Sequence, residues 1–343
     1  MLSLALVRFD QHPITHGHFE TLLQSQLLQC EVDSLSYTFL DLSFGNIDQK
    51  LSQFRDKLDL YKVKHVYFEW LHDIPSIQEI DSILFERKIS WSVLASVSEF
   101  WNLSNAGHKS LERMKHLSNA VQLKNVFVWD KYIIEEIGFS SIPFTVVNDF
   151  QDTTLDELRY GCCDWVNKAK RPLIGVVGQL YGYRGVTNVI RIALTRPNLS
   201  FILWGSGRWS SVKKIDKFLL SKVIPKRRLF VSDDYKSTDS ELNHVFKHID
   251  ALYIDGSRYP NPSGIVTRAR HFGIPTLVES GLGYYSVESK NDKGISLDRY
   301  VLLSSKAIRS RINQLTKQPP VTAPTLLSQV QTFVESWKLA INR

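Results

Sequence analysis

The residues best suited to chemistry lie where an apolar, strand-like run ends in glycine and a helix pattern follows. The run over 174–178 ends in Gly178 and leads through Gln179 to Arg184-Gly185, directly ahead of a predicted helix. Backbone N–H groups at a helix N-terminus are unsatisfied donors at the positive end of the helix dipole, and glycine lets an anion approach them. The segment therefore predicts a phosphate-binding turn in which Arg184 supplies a fixed positive charge.

Two further segments have the same construction. One places Gly205 and Gly207 after the apolar run over 201–204, and the other places Ser263 and Gly264 ahead of a helix predicted over 265–272. Alone, a Gly-x-Gly turn is weak evidence, and a Ser-Gly pair is more typical of an ordinary helix cap. Three such turns in succession favour a site whose backbone amides hold a diphosphate together with Arg184.

Length, composition and charge limit the class of protein. A chain of 343 residues with 43% hydrophobic and 22% charged residues predicts two globular domains. Its net charge of +7 comes from scattered basic residues without a nucleic-acid-binding motif, so we expect no nucleic-acid partner. The clusters Lys213-Lys214 and Lys226-Arg227-Arg228 are candidate contacts for an anionic membrane surface.

Cysteine usage and hydropathy give an expected location. Cys30, Cys162 and Cys163 form neither a disulfide framework nor a metal-binding spacing, which is typical of a reducing compartment. The N-terminal apolar run is too short for a signal peptide, and no apolar run reaches membrane-spanning length. We therefore expect a cytoplasmic protein whose membrane contact, if any, is peripheral and on the inner face.

Strand and helix patterns alternate along both halves of the chain, which predicts α/β architecture with two doubly wound, Rossmann-like parallel sheets. A polar stretch over 148–170 separates the halves, and we place one domain at 1–165, a second at 166–322 and a terminal helix at 323–343. We expect this helix to pack back on the body of the protein. Ligands of such sheets bind beyond the carboxyl ends of the strands, so the expected site is a cleft that the two domains face across.

The glycine segments resemble the donor domain of GT-B glycosyltransferases, and most closely that of glycosyltransferase family 4, over about residues 171–300. Gly178-Gln179-Leu180 with Arg184-Gly185 is similar to the family's Gly-Arg-Leu and Lys-Gly, and Gly205-Ser206-Gly207 is similar to its second glycine turn. Asp250-Ala-Leu-Tyr-Ile254 and Gly273-Ile274-Pro275 also fit the family pattern. The resemblance implies the GT-B fold and makes Arg184 the cation that binds the diphosphate of a nucleotide-sugar donor.

The resemblance also assigns donor-binding positions and exposes departures from the family. The positions assigned to the donor are Gly178, Gln179, Gly185, Gly205, Gly207, Ser263, Gly264 and Arg268. Gln179 replaces an arginine of the family, and the two glutamates of its Glu-x7-Glu pattern fall on Pro260 and Arg268. Arg268 either binds a negative charge on the donor or marks a lost activity.

The N-terminal half offers weaker candidates. His16 and His18 flank Gly17 after the first strand, where one of them acts as a proton-transferring residue or the segment is an ordinary loop. Glu69 is either a base or a solvated turn residue, and the second interpretation is favoured. Ser98 falls where many relatives have histidine, and Asp233-Asp234 fits a surface turn better than a metal site.

The resemblance implies a retaining, metal-independent glycosyltransferase that needs no cofactor. It would move a sugar from a nucleoside-diphosphate sugar to a hydroxyl of a glycan, a lipid-linked saccharide or a small molecule. The departures at Gln179, Pro260 and Arg268 keep open a catalytically inactive GT-B-like binding or regulatory subunit. A nucleotide-sugar epimerase of the same fold is less favoured, because the glycine turns are closer to those of the transferases.

Overall fold

The chain divides into two compact units in the computed structural model, one of residues 1–150 with 324–343 and the other of residues 151–323. The structure describes residues 3–9, 17–95, 108–128, 141–147, 165–166, 168–177, 187–204, 214–232, 239–254, 264–279, 295–297, 310 and 326–342. Within those ranges, no helix has the length and apolar character that crossing a membrane requires.

The first unit is built on a parallel sheet of six strands: β1 Ser3–Arg8, β2 Ser36–Asp41, β3 His65–Phe68, β4 Ser90–Leu94, β5 Leu123–Val128 and β6 Phe144–Val146. Their order in the sheet is β2-β1-β3-β4-β5-β6, and every neighbouring pair is parallel. The described helices between them are α1 Gly17–Val32, α2 Ile47–Tyr61, α3 Ile77–Glu86 and α4 His108–Asn119. Strand order reverses between β1 and β3, as in a doubly wound sheet.

The second unit repeats this architecture with strands β7 Leu173–Val177, β8 Ser200–Trp204, β9 Leu229–Ser232, β10 Ala251–Ile254, β11 Thr276–Glu279 and β12 Ile295–Leu297. Its described helices are α5 Thr187–Thr195, α6 Lys214–Phe218 with a π turn over Leu219–Val223, α7 Asp239–His248 and α8 Gly264–His271. The parallel strands follow the order β12-β11-β10-β7-β8-β9, which is the classical Rossmann order, and it reverses between β7 and β10.

Local sequence signals account for where elements begin and which faces they bury. At the start of α2, Asn46 Oδ1 accepts a hydrogen bond from the backbone N–H of Gln49, and Gln49 Oε1 accepts one from the N–H of Asn46. This capping box satisfies donors that the first turn leaves open. Leu51, Phe54 and Leu58 then recur at helical spacing and face the sheet, so one stripe of the helix is buried.

The last helix of the chain, α9 Leu326–Asn342, packs on the first sheet, although the whole second unit precedes it in sequence. Phe333 and Trp337 are buried, and the Trp337 ring lies 4.9 Å from that of Tyr67 on β3. Phe333 lies 4.5 Å from the ring of Phe127 on β5. Fully burying a side chain such as Phe333 stabilises the folded state by about 1.5–3 kcal/mol, so α9 is part of the first unit's core.

A histidine is fully buried in the first unit. His65, at the start of β3, has Nδ1 2.8 Å from the hydroxyl of Ser90 and Nε2 2.9 Å from that of Ser92. Burial, with a smaller contribution from the charge of Lys124, lowers the pKa of His65 to about 3. The imidazole is therefore neutral in the folded protein at neutral and mildly acidic pH.

We expect His65 to make the first unit acid-sensitive. In the unfolded chain an ordinary histidine pKa of about 6.5 applies, so below that pH the unfolded state binds a proton that the folded state does not bind. The free energy of unfolding should fall by about 1.6 kcal/mol between pH 6.5 and pH 5 from this residue alone. Urea unfolding followed by tryptophan fluorescence at several pH values measures the slope.

The matched comparison is His65→Gln, which keeps polar groups but cannot titrate. The dependence of the free energy of unfolding on pH should be shallower in His65→Gln than in the wild type. Equal slopes in the two proteins would contradict the assignment.

Candidate functional site

The three glycine segments follow three neighbouring strands of the second sheet, β10, β7 and β8. Val177 at the end of β7 is paired with Trp204 at the end of β8, and the register of β10 on β7 brings Ile254 to the same level. Neighbouring strands lie about 4.8 Å apart, so these three strand ends lie within about 10 Å of one another. The segments that continue the chain from these three strand ends are residues 178–186, 205–213 and 255–263.

This stretch is also where strand order reverses, between β7 and β10. Helix α5 follows β7 on the way to β8, whereas α8 follows β10 on the way to β11. Right-handed crossovers in opposite directions place these helices on opposite faces of the sheet. In sheets of this type, ligands bind beyond the carboxyl edge at such a reversal, and here the N-termini of α5 and α8 lie on its two sides. Helix N-termini attract anions, so the arrangement suits a phosphate group.

Asp250 fixes the pairing of the two strands at the reversal. Its Oδ2 accepts a hydrogen bond of 2.6 Å from the backbone N–H of Leu173, and its own N–H donates to the Leu173 carbonyl at 2.8 Å. Arg171 donates to the same Oδ2 at 3.0 Å and to the carbonyl of His248 at 2.6 Å. The aspartate that fits the family pattern therefore has a structural role here, because it sets the register of β10 on β7.

A buried guanidinium holds the far end of α5. Arg228 donates from Nη2 to the carbonyls of Ala193 at 2.5 Å and Arg196 at 2.6 Å, and from Nε to the carbonyl of Leu199 at 3.3 Å. These groups lie at the C-terminal end of α5, where backbone carbonyls lack partners within the helix and the dipole attracts cations. The contacts fix the axis of the helix whose N-terminus follows the first glycine segment.

Helix α8 ends in a motif that explains the Gly-Ile-Pro sequence. Gly273 has φ +66°, in the left-handed region that favours glycine, and the N–H of Ile274 donates to the carbonyl of Ala269 at 2.8 Å. This is the bond of a Schellman helix ending. The carbonyl of Pro275 then accepts a hydrogen bond from the N–H of Leu252 on β10 at 2.9 Å. The motif therefore directs the chain from α8 into the strand beside β10.

Arg268 lies on α8 and is only 1% exposed. Its Nη1 donates a hydrogen bond to Oδ1 of Asn243 on α7, which is also buried. The guanidinium of Arg268 therefore links α8 to α7 through a hydrogen bond. The side chain that stands at the family's glutamate position contributes to the packing of α7 against α8.

The first unit carries its own polar groups where strand order reverses. Arg8 at the end of β1 donates to Asp41 Oδ2 at 3.1 Å, and Lys50 on α2 donates to the carbonyl of Phe9 at 2.6 Å. Glu69, directly after β3, is 3% exposed, so the favoured interpretation of a solvated turn residue is wrong. Arg8 and Lys50 were not predicted, and only the position of Arg8 after an apolar strand pattern gave a signal.

The remaining predicted site residues divide into two groups. Gly264 is the first residue of α8, one position earlier than expected, and His18 is the second residue of α1. The residues that lie outside the described ranges are His16, Gly178, Gln179, Arg184, Gly185, Gly205, Gly207 and Ser263, together with Ser98, Asp233, Asp234 and Pro260. For the first group the structure gives the backbone position, and for the second it gives only the elements on either side.

Comparison with known proteins gives a clear result for structure only. No family model matches the chain, and no curated protein matches it in sequence. HepE of Anabaena in complex with UDP-glucose is 11% identical, with a TM-score of 0.67 over 100% of this chain and 99% of HepE. MnaA of S. aureus with UDP is 12% identical, with a TM-score of 0.64 over 99% of this chain and 98% of MnaA.

A glycosyltransferase from Rickettsia africae is 11% identical, with a TM-score of 0.64 over 100% of this chain and 99% of that protein. The similarity to these structures covers both units of the chain, each of which has a parallel α/β sheet. The chain has the GT-B fold. This result confirms the predicted fold class. At sequence identities of 11–12%, the structural similarity shows the fold alone. In this GT-B chain, the segments predicted to bind a donor follow the strand ends at the reversal point of the second sheet.

We expect Asp250→Ala to destabilise the second unit by about 1–3 kcal/mol, because the buried N–H of Leu173 loses its acceptor. Chemical unfolding with far-UV circular dichroism measures the loss. Asp250→Asn is the matched control, since its amide oxygen still accepts from Leu173, and it should lose less. If Asp250→Ala were as stable as the wild type, the register of β10 on β7 would not depend on this side chain.

Proposed function

We propose that this protein is a glycosyltransferase that moves a sugar from a nucleoside-diphosphate sugar to a hydroxyl group. The acceptor class is a glycan, a lipid-linked saccharide or a small molecule, and the reaction is retaining and independent of a metal ion. Within the GT-B enzymes we assign it to the neighbourhood of glycosyltransferase family 4. The protein would act in the cytoplasm.

The observation that carries the proposal is the placement of the three glycine segments. They follow β10, β7 and β8, whose ends lie side by side where strand order reverses, and the N-termini of α5 and α8 border that place. A diphosphate needs several converging N–H donors and positive charge, and the reversal point of a Rossmann-type sheet is where helix N-termini and glycine turns can provide them. That HepE was solved with UDP-glucose and MnaA with UDP supports a uridine nucleotide as the first ligand to test.

In the proposed reaction the protein acts mainly through electrostatics. Negative charge grows on the diphosphate as the bond to the sugar breaks. Arg184 and the backbone amides around Ser263 and Gly264 would stabilise that charge, while Gly178 and Gly185 let the donor approach the backbone. Because preorganised donors need little rearrangement as the charge develops, they lower the barrier without a metal ion.

The first unit would supply acceptor contacts and proton transfer. His16 and His18 lie on either side of Gly17, where α1 begins after β1, the strand at which order reverses in the first sheet. A histidine can exchange a proton near neutral pH, so either residue can assist the attacking hydroxyl. We propose the pair as the proton-transferring candidates.

A second candidate function is a catalytically inactive GT-B-like binding or regulatory subunit. The observation that favours it is Arg268, which replaces a family glutamate and donates to buried Asn243. A guanidinium has no acceptor for a sugar hydroxyl, so that contact of the family is lost. This candidate predicts weak or absent nucleotide binding and no turnover of UDP-glucose, which an assay of released UDP in the presence of mixed acceptors tests.

We expect one of the nucleotides UDP, GDP, ADP, CMP and TDP to raise the melting temperature of the purified protein, because a ligand of the folded state stabilises it. Arg184→Ala should weaken binding of that nucleotide by about 1.5–3 kcal/mol, the range for a hydrogen bond to a charged group. Isothermal titration calorimetry gives the affinities.

The control is Arg191→Ala, which removes an exposed arginine from α5 and should leave the affinity unchanged. A melting temperature that no nucleotide raises would contradict the donor site. Equal affinity in Arg184→Ala and the wild type would remove Arg184 from it.

A further inference from the structure

The helical segment 214–223 of the second unit, made of α6 and its π turn, exposes apolar side chains among lysines. Ile215 is 64% exposed, Phe218 is 57% exposed and Val223 is 45% exposed. Ile215 and Phe218 lie three residues apart and therefore on one face of the helix. Single exposed apolar residues are common, but three within ten residues form a patch that calls for a function.

Within the described segment 214–232, every exposed charged side chain is a cation. Lys214, Lys222, Lys226 and Arg227 are exposed. Asp216 is the only acidic residue between positions 214 and 232, and it is buried. We define these four cations with Ile215, Phe218 and Val223 as the basic apolar patch. The surface that it presents to a partner is therefore positive and apolar.

The patch is held rigidly on the unit. Leu220 and Ile224 are buried in the core, and the N–H of Ile224 donates to the carbonyl of Leu219 at 3.0 Å, which closes the π turn. Trp165 donates to the carbonyl of Lys226 at 2.8 Å. Arg228, expected from the sequence to be part of a basic surface cluster, is instead buried against the C-terminal end of α5. The inner side of the segment is thus packed while its outer side faces solvent.

We propose that the basic apolar patch binds the surface of an anionic lipid bilayer. Lysines flanking exposed Phe, Ile and Val side chains are the composition of helices that lie in the membrane interface, where cations meet lipid phosphates and apolar groups enter the acyl boundary. A second copy of the chain fits less well, because a two-fold interface places a patch against itself and here brings like charges together. Phosphates of a nucleic acid would match the cations but not the apolar residues.

The test is sedimentation of the full chain with vesicles of phosphatidylcholine alone and of phosphatidylcholine with phosphatidylglycerol. The protein should bind only the anionic vesicles, and binding should weaken as salt is added. Each cation near an anionic surface strengthens binding about fivefold, so Lys222→Gln with Lys226→Gln should weaken it about 25-fold. Phe218→Ser should also weaken binding, because it removes the largest apolar group of the patch.

Matched controls distinguish binding by the patch from nonspecific electrostatic or hydrophobic binding by other parts of the surface. Lys64→Gln with Lys115→Gln removes two exposed lysines from the first unit, and Phe85→Ser removes a phenylalanine that is 56% exposed on α3. Both controls should bind anionic vesicles as the wild type does. Absence of vesicle binding, or equal loss in patch and control variants, would overturn the proposal.

Sedimentation velocity tests whether a second copy of the chain, instead of a membrane, binds the patch. A dimer that dissociates in Phe218→Ser would assign the patch to a second copy and overturn the membrane proposal. The rise in melting temperature when a nucleotide is added, measured on the same preparations, reports separately on the proposed donor site. A patch variant should keep that response, so the two proposals fail or hold independently.

Discussion

The parallel pairing of β7 with β10 is the contact on which the proposed site depends. The two strands belong to different halves of the second sheet, and β8 and β9 come between them in the chain. Asp250 and Leu173 exchange two hydrogen bonds at the start of this pair, which sets how far each strand extends toward the carboxyl edge. A slip in this register would displace the segment after β10 relative to the segment after β7, and with it the backbone amides that we propose bind one diphosphate.

Three structural contacts of the second unit lie away from that edge. Arg228 binds the carbonyls at the end of α5, Gly273 closes the C-terminal end of α8, and Asp250 acts at the amino end of the strands. These contacts position the same helices from their C-terminal ends. A binding site built from loops on such a scaffold keeps its geometry while the loops vary between proteins.

The fold was readable from sequence because parallel, buried strands such as β7 and β8 are continuous apolar runs separated by helix patterns. Helix α3 and the strands β2 and β12 were missed. In β2 only Leu40 is buried, so its pattern lacks the apolar run of a central strand. Helical spacing predicted α9, but its packing on the first sheet depends on tertiary contacts with Tyr67 and Phe127 that no local pattern encodes.

The site was predictable only in part, and for a related reason. Glycine segments mark turns locally, whereas burial is a property of the whole fold, so Glu69 could be mistaken for a solvated residue and Arg228 for a surface cation. The burial of Arg228 also connects the proposed donor site with the proposed membrane-binding patch. Because one buried guanidinium joins the end of α5 to the segment that follows the basic apolar patch, a membrane bound by that patch would meet the second unit in a fixed orientation relative to α5. For an acceptor carried on a lipid, such an orientation would replace a search in three dimensions by one along a surface.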